Sequence, residues 1–97
     1  ESGGYGEDVS DNEIIEAMKL LAQTEGIFTE TAGGVTLGVT QKLIKQGRIQ
    51  PDELTVICIT GNGLKTQEAL AGQYAPPPLI EPNLHSFEDH FANSLTV

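Results

Sequence analysis

The sequence predicts an α/β fold: a small βαβ-containing fragment of a parallel-sheet protein. Three observations carry that expectation. Residues 54–60 (Leu54-Thr55-Val56-Ile57-Cys58-Ile59-Thr60) form a β-branched, almost continuously apolar run, the pattern of a strand covered on both faces. A helical pattern precedes it at residues 32–46, and a short strand candidate, Ile27-Phe28-Thr29, precedes the helix. Strand, helix and strand in that order make a right-handed crossover. The 97 residues allow one small domain at most. Two strands and four helices are too few to close a sheet around this apolar surface. The expectation is a piece of a larger parallel sheet, or a small α/β domain with open strand edges.

Each element has its own local reasons. Residues 1–9 are Gly-rich and read as loop. Ser10-Asp11-Asn12-Glu13 is a capping-box pattern, in which serine and glutamate each satisfy the other's backbone N–H. Ile14, Ile15, Met18, Leu21 and Ala22 follow at helical spacing and Gly26 supplies a stop, giving a helix over 11–24. In the second helix Val35, Val39 and Leu43 mark one face and Leu37 and Ile44 another, so burial on two sides is expected. Gly33, Gly34 and Gly38 each cost roughly 1 kcal/mol against Ala in an exposed helix interior. Close approach of another backbone or of a ligand is the usual compensation.

Gly47 closes the second helix, and Pro51-Asp52 makes a turn. After the apolar run, Gly61-Asn62-Gly63 is a break, followed by a third helix over 64–70 that ends at Gly72. The prolines of 75–82 make a stiff connector. Ser86 to Asp89 reads as the cap of a last short helix, with Phe87, Phe91 and Leu95 along one side. The organisation is therefore an α/β segment over 1–72, a Pro-rich connector over 73–85 and a tail with a short helix over 86–97.

Charge and cysteine content exclude several functions. Five Lys and Arg against fourteen Asp and Glu give a net charge of −9. Phosphate backbones and anionic membranes need cationic partners, so neither nucleic acid nor membrane is expected as a partner. One cysteine, Cys58, rules out an internal disulfide and a cysteine-based zinc site, and it reads as a buried core thiol. His85 and His90 are five residues apart, off the spacing that puts two ligands on one helical face. No apolar run approaches the roughly 18 residues of a membrane span, and no signal peptide is visible. The expected compartment is the cytoplasm, with the plastid stroma left open. The chain starts at Glu1 without a methionine, which suggests a piece of something longer.

In open α/β sheets ligands bind beyond the carboxyl ends of the strands. Thr60-Gly61-Asn62-Gly63 falls there, with a hydroxyl and two glycines that admit a close ligand. By spacing alone the string also reads as a tight strand-to-helix turn, the commoner use of such a sequence. Thr29-Glu30-Thr31-Ala32-Gly33-Gly34 falls at a helix start, where the plain reading is an N-cap with a favourable glutamate.

The full strings narrow the choice. Residues 26–36 (Gly26-Ile27-Phe28-Thr29-Glu30-Thr31-Ala32-Gly33-Gly34-Val35-Thr36), together with Ile59-Thr60-Gly61-Asn62-Gly63-Leu64-Lys65, resemble the C-terminal part of the threonine synthase family. That family belongs to the fold-type-II pyridoxal-phosphate enzymes. Ser2-Gly3-Gly4 and the helix start at Asp11 resemble it too, so the likeness covers residues 1–72. It implies a parent enzyme, a lyase of threonine biosynthesis, that converts O-phosphohomoserine and water to threonine and phosphate. It also implies that Thr60 hydrogen-bonds the pyridine nitrogen of pyridoxal phosphate. A neutral hydroxyl there leaves the ring a milder electron sink than a carboxylate would. Gly61, Asn62 and Gly63 would shape the turn that aims Thr60, and Glu30, Ala32 and Gly33 would lie near the ring.

The sequence departs from the family's pattern in two ways. Thr66 stands where Asp is common. The family's Schiff-base lysine and its phosphate loop lie in N-terminal motifs that match nothing here, and Lys65 matches a non-catalytic position. No catalytic residue is therefore assigned, and the 97-residue chain alone is expected to be inactive. The implied partner is the remainder of the parent enzyme, with self-association through open edges and the Phe/Leu stripe as a second expectation. Two alternatives stay open: a non-catalytic association or regulatory module derived from such an enzyme, and part of a threonine dehydratase-like enzyme.

Overall fold

Helices are the regular elements of the chain, and two of them make its core. The computed structural model describes residues 1–92. In order along the chain come α1 (Asp11–Glu25), α2 (Thr31–Lys45), a 3-10 helix (Gly63–Leu70) and α3 (Leu84–Phe91). Among these residues no helix is long and apolar enough to cross a membrane.

The start of α1 forms as its residues dictate. Ser10 Oγ accepts from the Glu13 N–H at 3.3 Å, and Glu13 Oε2 accepts from the Ser10 N–H at 2.7 Å. These bonds hold the Glu13 carboxyl below its ordinary range: the Ser10 backbone N–H contributes most, then the Ser10 hydroxyl, then Lys42. Gly26 ends α1 in the left-handed region at φ 66°, where its N–H reaches the Ala22 carbonyl. A residue with a Cβ would be strained there.

Helix α2 packs on α1 through its glycines. A Cβ added to Gly34 would come within 2.8 Å of the Ile14 carbonyl oxygen and of Met18 Cγ. One added to Gly38 would meet Val9 Cγ1 at 3.0 Å. The expected compensation for helical glycine is thus the close approach of α1. Ala17, Met18 and Leu21 are the buried apolar side chains of the described residues. The N-terminal loop lies along the far half of α2, where Lys42 Nζ donates to the Asp8 carbonyl at 2.7 Å and Gln46 Nε2 to Glu7 at 2.8 Å. The Arg48 guanidinium sits 4.3 Å from the centroid of the Tyr5 ring.

The α/β expectation is wrong for this structure. Among the described residues there is no strand, and no βαβ unit forms. Residues 27–29 and 54–60 make no ladder; the pairing present is an isolated antiparallel bridge between Thr29 and Asn62. The apolar run is not interior either. Leu54 is 95 % and Val56 80 % exposed, and Cys58 is an exposed thiol rather than a core one. The physical reason lies in where the hydrogen bonds come from. A helix satisfies its backbone from its own residues, whereas a strand needs a second segment at the right register. Among the described residues no such segment lies beside 54–60, so β propensity has nothing to act on.

Two helix starts also differ from expectation. The third helix is a 3-10 helix broken by non-helical angles at Thr66 (φ −137°, ψ 39°). The last helix is capped by Asn83, whose Oδ1 accepts from the Ser86 N–H at 2.8 Å, and it begins at Leu84. Asn is as strong a cap as Ser and stands earlier. Phe87 and Phe91 stack with centroids 5.0 Å apart. Leu95, expected on the same stripe, lies outside the described residues. With one small helical core, the chain is extended: its radius of gyration is 18.4 Å, against about 13 Å for a compact domain of 100 residues.

Candidate functional site

The residues singled out in the two strings come together, although the sheet that was to carry them does not form. The antiparallel bridge joins residue 29 to residue 62. Around it, the Gly63 N–H donates to the Phe28 carbonyl at 2.9 Å and the Glu30 N–H to the Gly61 carbonyl at 3.1 Å. The turn 60–63 is therefore fastened to the segment that enters α2. Phe28 covers Gly63 so closely that a Cβ on Gly63 would overlap its ring. The glycines of the turn are required by protein atoms as well as by any ligand.

Glu30 is the N-cap residue of α2 but makes no side-chain capping bond. Its carboxylate instead lies against Gly61, where a Cβ would overlap it, and pairs with Lys65 Nζ at 3.3 Å. The Glu30 side chain is 14 % exposed and that of Lys65 72 %, so the pair lies at the edge of the turn with its anion turned inward. Lys65 is thereby engaged by a carboxylate. Ala32 is exposed, and Gly33 is buried against the Thr29 side chain. Asn62 caps the 3-10 helix, its Oδ1 accepting from the Leu64 N–H at 2.9 Å. Thr60, at the head of the turn, is exposed.

Two residues hold this arrangement that the sequence pattern did not single out for it. Thr29 is the fully buried polar side chain of the site, at 0 % exposure. Its hydroxyl lies 3.1 Å from the Glu30 carbonyl and 3.4 Å from the Gly61 carbonyl, and so spans both strings. Thr66 accepts the Thr31 N–H at 3.2 Å. The four-residue spacing of Thr29 and Gly33 was a signal available in the sequence; the reach of Thr66 was not, because it depends on a 3-10 kink.

Among the described residues no group of three or more His, Cys, Asp and Glu side chains is placed to hold a metal ion. The site offers an exposed threonine, Thr60, on a turn fixed at several points. It supplies neither a free amine for an aldehyde nor a backbone cradle for a phosphate, since Lys65 is paired and the Gly61 and Gly63 positions are filled by Glu30 and Phe28.

Residues 1–61, which include Thr60 and Gly61 of this turn, match the family model of pyridoxal-phosphate dependent enzymes. The chain belongs to that family. Its curated relatives include threonine synthases: it is 46 % identical to that of Methanocaldococcus jannaschii over 80 residues, which cover 82 % of this chain and 20 % of the relative. It is 37 % identical to the threonine synthase of Halalkalibacterium halodurans over 91 residues, covering 93 % of this chain and 26 % of the relative. It is 38 % identical to that of Methanosarcina acetivorans over 90 residues, covering 92 % and 22 %. The chain thus spans between a fifth and about a quarter of the length of these relatives.

Proposed function

We propose that this chain is the C-terminal part of a threonine synthase, whose complete form converts O-phosphohomoserine and water to threonine and phosphate. The observation that supports the reading best is the fastened turn. The two strings that resemble the family lie apart in sequence, yet they are joined at residues 29 and 62 with Thr60 facing outward. The threonine synthases among the relatives and the family match over residues 1–61 point the same way.

Pyridoxal phosphate, when bound, supplies an electron sink that makes elimination and replacement at the substrate's side chain accessible. The chain's own contribution is narrower. Thr60 offers a neutral hydroxyl to the ring nitrogen, so that nitrogen is not held protonated as a carboxylate partner would hold it. Thr29, Glu30 and the Phe28–Gly63 contact hold the backbone of the turn that carries Thr60, and orientation of this kind is a large part of what a binding site contributes to rate. The 97 residues alone are inactive in this reading, because the amine and phosphate contacts come from the remainder of the enzyme. That remainder is also the proposed partner for the exposed apolar residues, Leu54 and Val56 foremost.

The test is phosphate release from O-phosphohomoserine in the presence of pyridoxal phosphate, run on the complete polypeptide and on the 97-residue chain. Release by the first and none by the second is expected. Ammonia release from threonine, without phosphate release from O-phosphohomoserine, would instead make the complete protein a dehydratase. A stoichiometric, borohydride-reducible adduct of pyridoxal phosphate on one lysine of the short chain would overturn the reading of that chain as incomplete.

A further inference from the structure

The start of α2 lacks a cap of its own. Glu30 occupies the N-cap position, but its carboxylate faces Gly61 and Lys65 rather than the helix. Of the first N–H groups of α2, those of Gly33 and Gly34 reach the Glu30 carbonyl at 3.0 and 3.3 Å. The Thr31 N–H has its acceptor 35 positions away in the chain, the hydroxyl of Thr66 at 3.2 Å. Thr66 is also where the 3-10 helix departs from helical angles, at φ −137° and ψ 39°. The kink and the bond occur at the same residue, and the bond gives the kink a partner.

We propose that Thr66 is a positioning residue: a detached N-cap of α2 that ties the 3-10 helix following the Thr60 turn to the helix start. The turn itself is held by the residue 29 to 62 bridge and by the Glu30–Gly61 and Gly63–Phe28 backbone bonds. Besides the Thr66 bond, the Lys65–Glu30 pair links residues 64–66 to the helix start; its lysine end is exposed, and ion pairs open to solvent hold geometry weakly. The Thr66 bond extends the fastening of the turn three residues past Gly63, so that the start of the 3-10 helix, and the turn that leads into it, keeps a set distance from α2. The consequence for a cofactor rests on the reading of Thr60 given above, whereas the cap itself does not.

The test compares the complete polypeptide with its T66V and T66S variants. Valine keeps the shape and removes the acceptor; serine restores it. Amide exchange at Thr31 is expected to speed up roughly three- to thirtyfold in T66V, the range set by the measured worth of N-cap side chains, and to return to near the native rate in T66S. The variant S10A, which weakens the start of α1, serves as a control and should leave Thr31 exchange near native. Unchanged Thr31 exchange in T66V overturns the proposal, as does equal acceleration in S10A, which would mark general loosening. With pyridoxal phosphate added, T66V should bind it more weakly and with a shifted absorbance maximum, and T66S should restore both. If exchange changes but these do not, the residue caps without positioning and the proposal fails in that part. If the native polypeptide takes up no pyridoxal phosphate at all, it is the functional reading that fails, and the exchange result stands by itself.

Discussion

The α1–α2 pair and the segment 54–60 are both apolar in sequence, yet one forms a core and the other lies bare. In the helix pair, Met18 is 1 % exposed and Gly34 has no room for a methyl group. In the segment, Leu54 is 95 % and Val56 80 % exposed. Composition does not separate them, since the segment is the more hydrophobic per residue. What separates them is the range over which each closes its hydrogen bonds. Helices α1 and α2 satisfy their backbones locally, the Thr31 N–H of α2 excepted, and meet across the short link of residues 26–30. The segment needs a neighbour that the described residues do not supply.

That contrast can be broken most forcefully at Met18. If α1–α2 is the core, M18A should cost about 2–5 kcal/mol, the usual range for truncating a buried methionine, and urea unfolding of the 97-residue chain would show it. The two glycines sharpen the point. Replacing either by alanine gains roughly 1 kcal/mol in helix propensity. At Gly34 the new methyl meets the Ile14 carbonyl oxygen, which is backbone and cannot step aside, so overpacking of about 1–3 kcal/mol should outweigh the gain. At Gly38 it meets a methyl group of Val9 at 3.0 Å, a side chain rather than backbone, so a shift of a few tenths of an ångström suffices and G38A should cost less than G34A. Equal effects of G34A and G38A on the urea midpoint would mean that the helices do not approach as described.

Legibility in the sequence followed the same division. The capping box at Ser10 and Glu13, the stop at Gly26 and both long helices were readable, because each depends on residues a few positions apart; the glycines of the second helix showed that something must come close, but not that it would be Ile14 and Met18 of α1. The expected strands were not readable as absent: a β-branched run states what a segment would do beside a partner, and it is silent on whether the partner is there. The candidate site falls between these cases. The pairing of the Thr29-Glu30 string with the Thr60-Gly61-Asn62-Gly63 string came from resemblance, and its joining by one antiparallel bridge needed the structure. The kink at Thr66, and the choice of Asn83 over Ser86 as a cap, hang on single dihedral angles and small differences in capping strength.

A smaller effect tests the local side of the comparison. S10A removes one half of the capping box and should cost about 1 kcal/mol. The other half is sensitive to pH. The Glu13 carboxyl is held below its ordinary value of 4.5 in the folded chain. Its contribution is therefore complete above that value and is lost as the pH falls through the lowered one. Helicity of the native chain should decline through the acid range below pH 4.5, and E13Q should flatten that part of the profile. An unchanged profile in E13Q would place the acid sensitivity elsewhere, Glu7 being the other carboxyl held low, chiefly by Gln46.

The smallest expected effect bears on the exposed side. L54T and V56T alter side chains already in water, so in the 97-residue chain each should move the unfolding free energy by no more than about 0.5 kcal/mol. A larger loss would mean that the segment is packed, and the comparison would collapse. The same substitutions in the complete polypeptide separate two explanations for an apolar segment left bare. If the remainder of the enzyme covers residues 54–60, a hydroxyl placed there loses its water and costs about 1–3 kcal/mol, and the unfolding midpoint falls. If it does not, V56T stays silent in both forms, and the hydrophobic pattern of the segment has no packing role. A substitution that is silent in the short chain and costly in the long one would locate the missing neighbour in the remainder of the polypeptide.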